Sequence, residues 1–193
     1  MLALPVVLCW EHIRHFMDKL KNTKCTVIGP MQFADGTQIR EYFRSELSKI
    51  GVTVFDHYHN PFIDDCIKED EQTVAHIKQL IKEERFDELE QYKSIRSHDL
   101  ALIDKSDFVI VEYKSGVTMC GTWEEFFSAN RMKKPIFFIT NDRKLTPAWV
   151  YWTIPHRYVY TNKEDVVTML NNINNGTIKI DSERWRLLKP EYR

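Results

Sequence analysis

Apolar residues along the chain gather into short continuous runs, and between the runs they recur every three or four positions. Cys25-Thr-Val-Ile28 is one such run, closed by Gly29-Pro30, and the stretch from Gln38 to Ile50 then carries Ile39, Phe43, Leu47 and Ile50 at helical spacing. Gly51 suits the end of that helix, where a left-handed residue commonly stops the chain, and Val52-Thr-Val-Phe55 is a second β-rich run. Asp107-Phe-Val-Ile-Val111 is apolar without interruption, as expected of a parallel strand covered on both faces. A helix from about Gly121 to Met132 follows it, and Ile136-Phe-Phe-Ile139 is the next strand. Thr146-Pro-Ala-Trp149 opens a short helix, His156 to Tyr160 a last short strand, and Asn162 to Asn172 a final helix capped by Thr161 or Asn162.

From Ile67 to Ile103 no strand run occurs. Val74, Ile77, Leu80, Ile81, Leu89, Tyr92 and Ile95 instead lie at helical spacing within many charges, which predicts two or three helices, an insertion longer than a simple crossover requires. Alternating strands and helices specify an α/β fold: a doubly wound, flavodoxin- or Rossmann-like, five-stranded parallel sheet with helices on both faces. In such sheets ligands bind outside the carboxyl ends of the strands, so the loops 29–36, 56–65 and 112–121 are expected to converge on one crevice.

Composition narrows the partners. With 193 residues and 43% hydrophobic content the chain is read as a single domain, residues 1–22 forming an N-terminal helical extension and 176–193 a charged tail. A formal net charge of −1 lacks the basic excess that phosphate-backbone binding needs, so nucleic acid is not expected. Cys9, Cys25, Cys66 and Cys120 are widely spaced with no C-x-x-C pair, which argues against a disulfide framework and a zinc site and for a cytoplasmic setting. The apolar opening Met1 to Cys9 runs into Trp10, Glu11 and His12, is too short to span a bilayer, and reads as the start of a packed or partner-binding helix; no membrane association is expected.

Cys120-Gly-Thr-Trp-Glu-Glu-Phe-Phe-Ser-Ala129 is the stretch richest in chemistry. Gly121 permits close approach of backbone to a ligand, Thr122 can cap the helix, and Glu125 sits one turn inside it. A carboxylate on a rigid helix at the crevice is placed to attack an anomeric carbon; equally, Glu124 and Glu125 suit the helix dipole.

Together with Ile28-Gly-Pro-Met31, His98-Asp-Leu100 ahead of Asp107 to Val111, and Lys134-Pro135, these residues resemble the nucleoside 2-deoxyribosyltransferase family, including the branch that hydrolyses 2-deoxynucleoside 5′-monophosphates. The resemblance spans roughly Lys24 to Ile139. It implies a homo-oligomer acting on a small nucleoside or nucleotide, without cofactor or metal, at the N-glycosidic bond. By the same resemblance Glu125 falls on the nucleophile, Asp99 on the aspartate that holds the sugar and orients the nucleophile, and Gly29, Pro30 and Met31 on the loop lining the nucleoside pocket. His57, His59, Ser115, Thr118, Gly121 and Thr122 complete the candidate binding set. The chain departs from the family at Val117-Thr-Met-Cys120, where the transferases carry an acid, and it has no tyrosine in the first strand. The general acid for the departing base therefore stays open among Glu124, Glu112, a water, His57 and His59. Phe33, Tyr58, Phe62, Tyr113, Trp123 and Trp149 supply rings for stacking on a base. Two alternatives stand beside this reading: a nucleotide-binding module without turnover, and a phosphoribohydrolase of the type resembling lysine decarboxylases, whose P-G-G is here Met119-Cys120 before Gly121.

Overall fold

The computed structural model describes residues 18–30, 35–55, 57, 67, 71–178 and 184. Five strands form one sheet: β1 (Lys24–Ile28), β2 (Thr53–Phe55), β3 (Phe108–Tyr113), β4 (Ile136–Thr140) and β5 (Val159–Tyr160). Their order is β2-β1-β3-β4-β5 and every neighbouring pair is parallel. The helices are α1 (Asp35–Ser48), α2 (Glu71–Lys82), α3 (Lys93–Lys105), α4 (Cys120–Arg131), α5 (Ala148–Thr153) and α6 (Lys163–Asn174). Three-residue and seven-residue 3₁₀ segments, His156–Tyr158 and Phe86–Tyr92, complete the described elements.

Because the chain winds outward from β1 to β2 and then crosses back to β3, successive helices are forced onto opposite faces. Cys25, Val27, Phe108, Ile110, Phe137 and Ile139 meet α1 and α6 through Phe43, Leu47, Val166 and Leu170 on one face. Ile28, Val109, Val111, Ile136 and Phe138 meet Ile103, Phe126, Ala129 and Val150 on the other. Alternate residues of β3 thus enter two different cores, which is why its sequence shows no polar position until Glu112.

Polar joints pin the crossover. Thr26 Oγ1 lies 2.6 Å from Ser106 Oγ, and Ser106 Oγ donates to Leu102 O at 2.8 Å, tying β1 to the end of α3. Asp107 Oδ2 accepts from Lys24 N at 2.7 Å, and Lys134 Nζ donates to Asp104 O at 2.9 Å and to Ser106 O. Gly51, at φ 73°, ends α1 as expected, with Val52 N donating to Leu47 O at 3.1 Å. Asn162 is the cap of α6, accepting from Asp165 N at 2.8 Å.

One expected strand is shorter than its apolar run. His156–Tyr158 forms a 3₁₀ turn, because Pro155 fixes the entry and Tyr158 N donates to Pro155 O at 2.9 Å, so only Val159–Tyr160 pairs with β4. The helical insertion is present as α2 and the 3₁₀ segment, which buries none of its residues and is laced by Arg85 to Glu83 and Glu88. Most of the expected N-terminal extension and charged tail lies outside the described residues. In the tail, residues 176–178 and Arg184 are described, and Arg184 donates to Asn130 Oδ1 at 2.6 Å, Lys134 O at 3.1 Å and Thr153 O at 3.1 Å.

Candidate active site

Glu125 lies in the second turn of α4, just past the loop that leaves the carboxyl end of β3. Its neighbours in the helix, Phe126 and Ala129, are fully buried against Val111 and Phe138, and this packing fixes the face that Glu125 presents. Its side chain is nearly buried, at 7% exposure. Asp99 approaches from α3, which packs alongside α4, and His57 from just beyond β2. One ring nitrogen of His57 and one carboxylate oxygen from each of Asp99 and Glu125 all lie within 4.8 Å of one another.

The centre of this cluster is a residue that the sequence reading did not single out. Arg96, one helical turn ahead of Asp99, sends Nη1 to Glu125 Oε1 at 3.0 Å and to Asp99 Oδ2 at 3.3 Å. Its Nε donates to Glu124 Oε2 at 2.6 Å and its Nη2 to Gly121 O at 2.9 Å. The i, i+3 spacing of Arg96 and Asp99 was the available signal, but it describes many solvated helix pairs equally well. His57 Nδ1 lies 2.9 Å from Asp99 Oδ1; with Asp99 ionised, that nitrogen carries the proton and donates. His57 Nε2 is buried and has no hydrogen-bond partner among the described residues.

Burial pushes the Glu125 carboxyl above its ordinary range; the charge on His57 opposes this, Asp99 reinforces it, and Arg96 opposes it. The Arg96 guanidinium thus stands beside a carboxylate in a dry place. A nitrogen and two carboxylates at this spacing also suit a cation, but the Arg96 guanidinium already compensates both acids, unlike a vacant cation cage.

Other expected residues divide between this cluster and elsewhere. Gly121 enters it through its carbonyl group, and a Cβ there would meet the Arg96 guanidinium, Nη1 at 3.4 Å and Cζ at 3.8 Å. Thr122 is buried inside α4 and does not cap it: the cap position is Met119, with no side-chain hydrogen bond, since the helix begins one residue earlier than the sequence suggested. Ser115 is held by Asn141, whose Oδ1 accepts from Ser115 N at 3.1 Å, and Thr118 is exposed. Gly29 ends β1 against β3, where a Cβ would lie 3.0 Å from Glu112 Cβ, and Pro30 beside it is buried. Met31 and His59, like Phe33, Tyr58 and Phe62, lie outside the described residues.

Glu112 belongs to the opposite layer. It lines a cleft of about 300 Å³ over the ends of β3 and β4, between α1 and the start of α6, together with Lys114, Thr140, Asn141, Asn162 and Lys163. Tyr113, Trp123 and Trp149 form an aromatic cluster with Phe126 and Phe138, Trp123 and Trp149 having ring centroids 4.7 Å apart. These rings serve first as the second core's outer layer.

The arrangement is similar in fold to a solved 2-deoxyribosyltransferase from Bacillus psychrosaccharolyticus, with a TM-score of 0.54 at 14% identity, covering 75% of this chain and 90% of that one. At that identity the likeness is one of fold. No protein-family model matches the sequence, and a search of curated proteins finds no relative.

Proposed function

We propose that this protein, acting as one domain, cleaves or transfers the N-glycosidic bond of a nucleoside or deoxynucleoside, or of its 5′-monophosphate, with Glu125 as nucleophile. The observation that carries the reading is a nearly buried carboxylate at the strand ends, held by Arg96 and within 4.8 Å of Asp99 and His57 ligand atoms. A fold shared with a 2-deoxyribosyltransferase supports it. In the first step a Glu125 oxygen bonds to C1′ as the C1′–N bond breaks, and the bonding pair leaves with the base, which takes up a proton. In the second step water or another base attacks C1′, the glycosyl ester opens, and Glu125 is restored. The oxocarbenium-like transition state is stabilised by the negative charge of Glu125 and Asp99.

Asp99 holds a sugar hydroxyl in this scheme. Its bond from His57 Nδ1 leaves Nε2 as the exchanging atom: the charged ring gives the Nε2 proton to the departing base, and the neutral ring so formed takes one back from the incoming acceptor. Glu124 is a weaker choice for that role, because its carboxylate already accepts from Arg96 Nε at 2.6 Å. No step calls for a metal or cofactor. The reading extends to a homo-oligomer in the cytoplasm. Trp152, 83% exposed, and the exposed Phe127 offer apolar surface for assembly. Cys25 and Cys120 are free thiols, and no helix among the described residues is long and apolar enough to cross a membrane.

The test is chromatographic: ribo- and deoxyribonucleosides and their 5′-monophosphates are incubated with the protein, with and without an acceptor base, beside Glu125→Gln. Free base released by the parent alone is the expected result, and exchange into the added base makes the protein a transferase. Absence of turnover at high protein concentration, with a nucleotide still raising the melting temperature, would replace the enzyme by a binding module.

A further inference from the structure

Arg96 makes contacts that a surface arginine on a charged helix does not need. It rises from the first turn of α3 and reaches across to α4, where it takes a backbone carbonyl group, Gly121 O, and two side chains, Glu124 and Glu125, besides Asp99 on its own helix. A planar fork with fixed donor directions can satisfy this set only when α3 and α4 stand in one relative position. Nη1 engages Oε1 of Glu125 at 3.0 Å, which selects between the two oxygens of that carboxylate. Through Nη2 and the Gly121 carbonyl group, Arg96 also ties the first turn of α4 to α3.

We propose that Arg96 is a positioning residue for Glu125: it bolts the first turn of α4 to α3 and holds Oε1, so that the other carboxylate oxygen is the one presented to a substrate carbon. The proposal rests on the reading of Glu125 as nucleophile, and it adds to that reading the residue that aims it. Four charged or titratable groups bear on Glu125: His57 from beyond β2, Asp99 and Arg96 from α3, and, through Arg96, Glu124 from its own helix. Removing the guanidinium leaves Asp99 facing a buried carboxylate with His57 as the remaining opposing charge.

The test compares the full chain with Arg96→Gln and Arg96→Lys, following the Glu125 side-chain carbon by NMR across pH, with Glu125→Gln identifying the signal. In R96Q the Glu125 midpoint is expected to rise by about one pH unit or more, the scale of losing an opposite charge within ~4–6 Å. The acidic limb of the kcat/KM profile should move with it, and kcat should fall roughly 10- to 100-fold through lost alignment. Lysine keeps the charge but lacks the fork. R96K should therefore restore most of the midpoint and little of kcat. A Glu125 midpoint in R96Q equal to that of the parent would overturn the proposal, as would full recovery of kcat by R96K.

If R96Q does not fold, the parent decides: the Arg96 Nε and Nη resonances must shift through the Glu125 titration, and their staying fixed would overturn the contact. The NMR titration requires no turnover. A chain that never releases base but has a shifted Glu125 midpoint sinks the enzymatic reading while leaving the Arg96–Glu125 link in place.

Discussion

Gly29→Ala tests whether the carboxyl end of β1 is as tightly fitted against β3 as the geometry says. The added Cβ would lie 3.0 Å from Glu112 Cβ and 3.1 Å from Glu112 O, well inside ordinary carbon contact. The obstacle is backbone rather than a swinging side chain, and β3 is held on both sides, by Ile28 against Val111 and by Ile139 against Glu112. Relief therefore requires parting two registered strands by a few tenths of an ångström. The cost is that of overpacking a rigid core, about 1–3 kcal/mol. For a chain of this size that corresponds to roughly 2–12 °C in Tm. Urea titration should move the midpoint without changing its slope, because the surface exposed on unfolding is unaltered. Gly121→Ala is the matched control: its Cβ meets Arg96 Nη1 at 3.4 Å, an ordinary contact, so stability should hold or rise by up to about 1 kcal/mol for the gain in helix propensity. A G29A protein with the parent's Tm, or one no less stable than G121A, would refute the close fit.

Two further outcomes follow from the charged groups. Burial holds the Glu125 carboxyl above its ordinary range, so the folded chain binds that proton more tightly than the unfolded chain does. Its effect on stability is nil below the ordinary carboxylate pKa and becomes a penalty as pH rises, complete above the folded-state pKa. Glu125→Gln should therefore be more stable than the parent at neutral pH, by about 1.4 kcal/mol for each unit separating the two states, with no advantage near pH 3. Denaturant midpoints at a series of pH values check this, and a difference that stays flat from acid to neutral contradicts it. Lys134→Met deprives Asp104 O and Ser106 O of a half-buried donor at the end of α3 and should cost about 1–3 kcal/mol by the same titration.

The layers were legible because their cause is local: β1, β3 and β4 are apolar at successive positions, which is only tolerable when both faces are covered. Gly51 and Asn162 announced the end of one helix and the start of another through single-residue chemistry. The encounter of His57, Asp99 and Glu125 depends instead on how far α3 slides along α4, and no spacing within either helix encodes that. Asp99 could have faced solvent on periodicity alone; it is buried because Leu102 and Ile103, one turn on, seat α3 in the core. Thr122 illustrates the reverse failure. A threonine before a helical run looks like a cap, but packing starts the helix at Cys120 and turns Thr122 inward. Ser115 was a loop hydroxyl with many conceivable partners, and Asn141, from the loop after β4, claims it.

The sharing of Arg96 bears on why a buried carboxylate can still act. A carboxylate left alone on a side chain 7% exposed would hold its proton and be no nucleophile, while one locked to a dedicated arginine would be ionised but quenched. Arg96 spends its shortest contact, 2.6 Å, on Glu124, which is half exposed to solvent, and divides Nη1 between Asp99 at 3.3 Å and Glu125 at 3.0 Å. Glu125 thus receives part of a positive charge rather than all of it. The same division keeps Asp99 free to accept from His57 at 2.9 Å, so the acid that would hold a sugar and the base that would move a proton stay coupled. On this reasoning Glu124, the most exposed of the three acids that Arg96 touches, competes with Glu125 and Asp99 for the guanidinium.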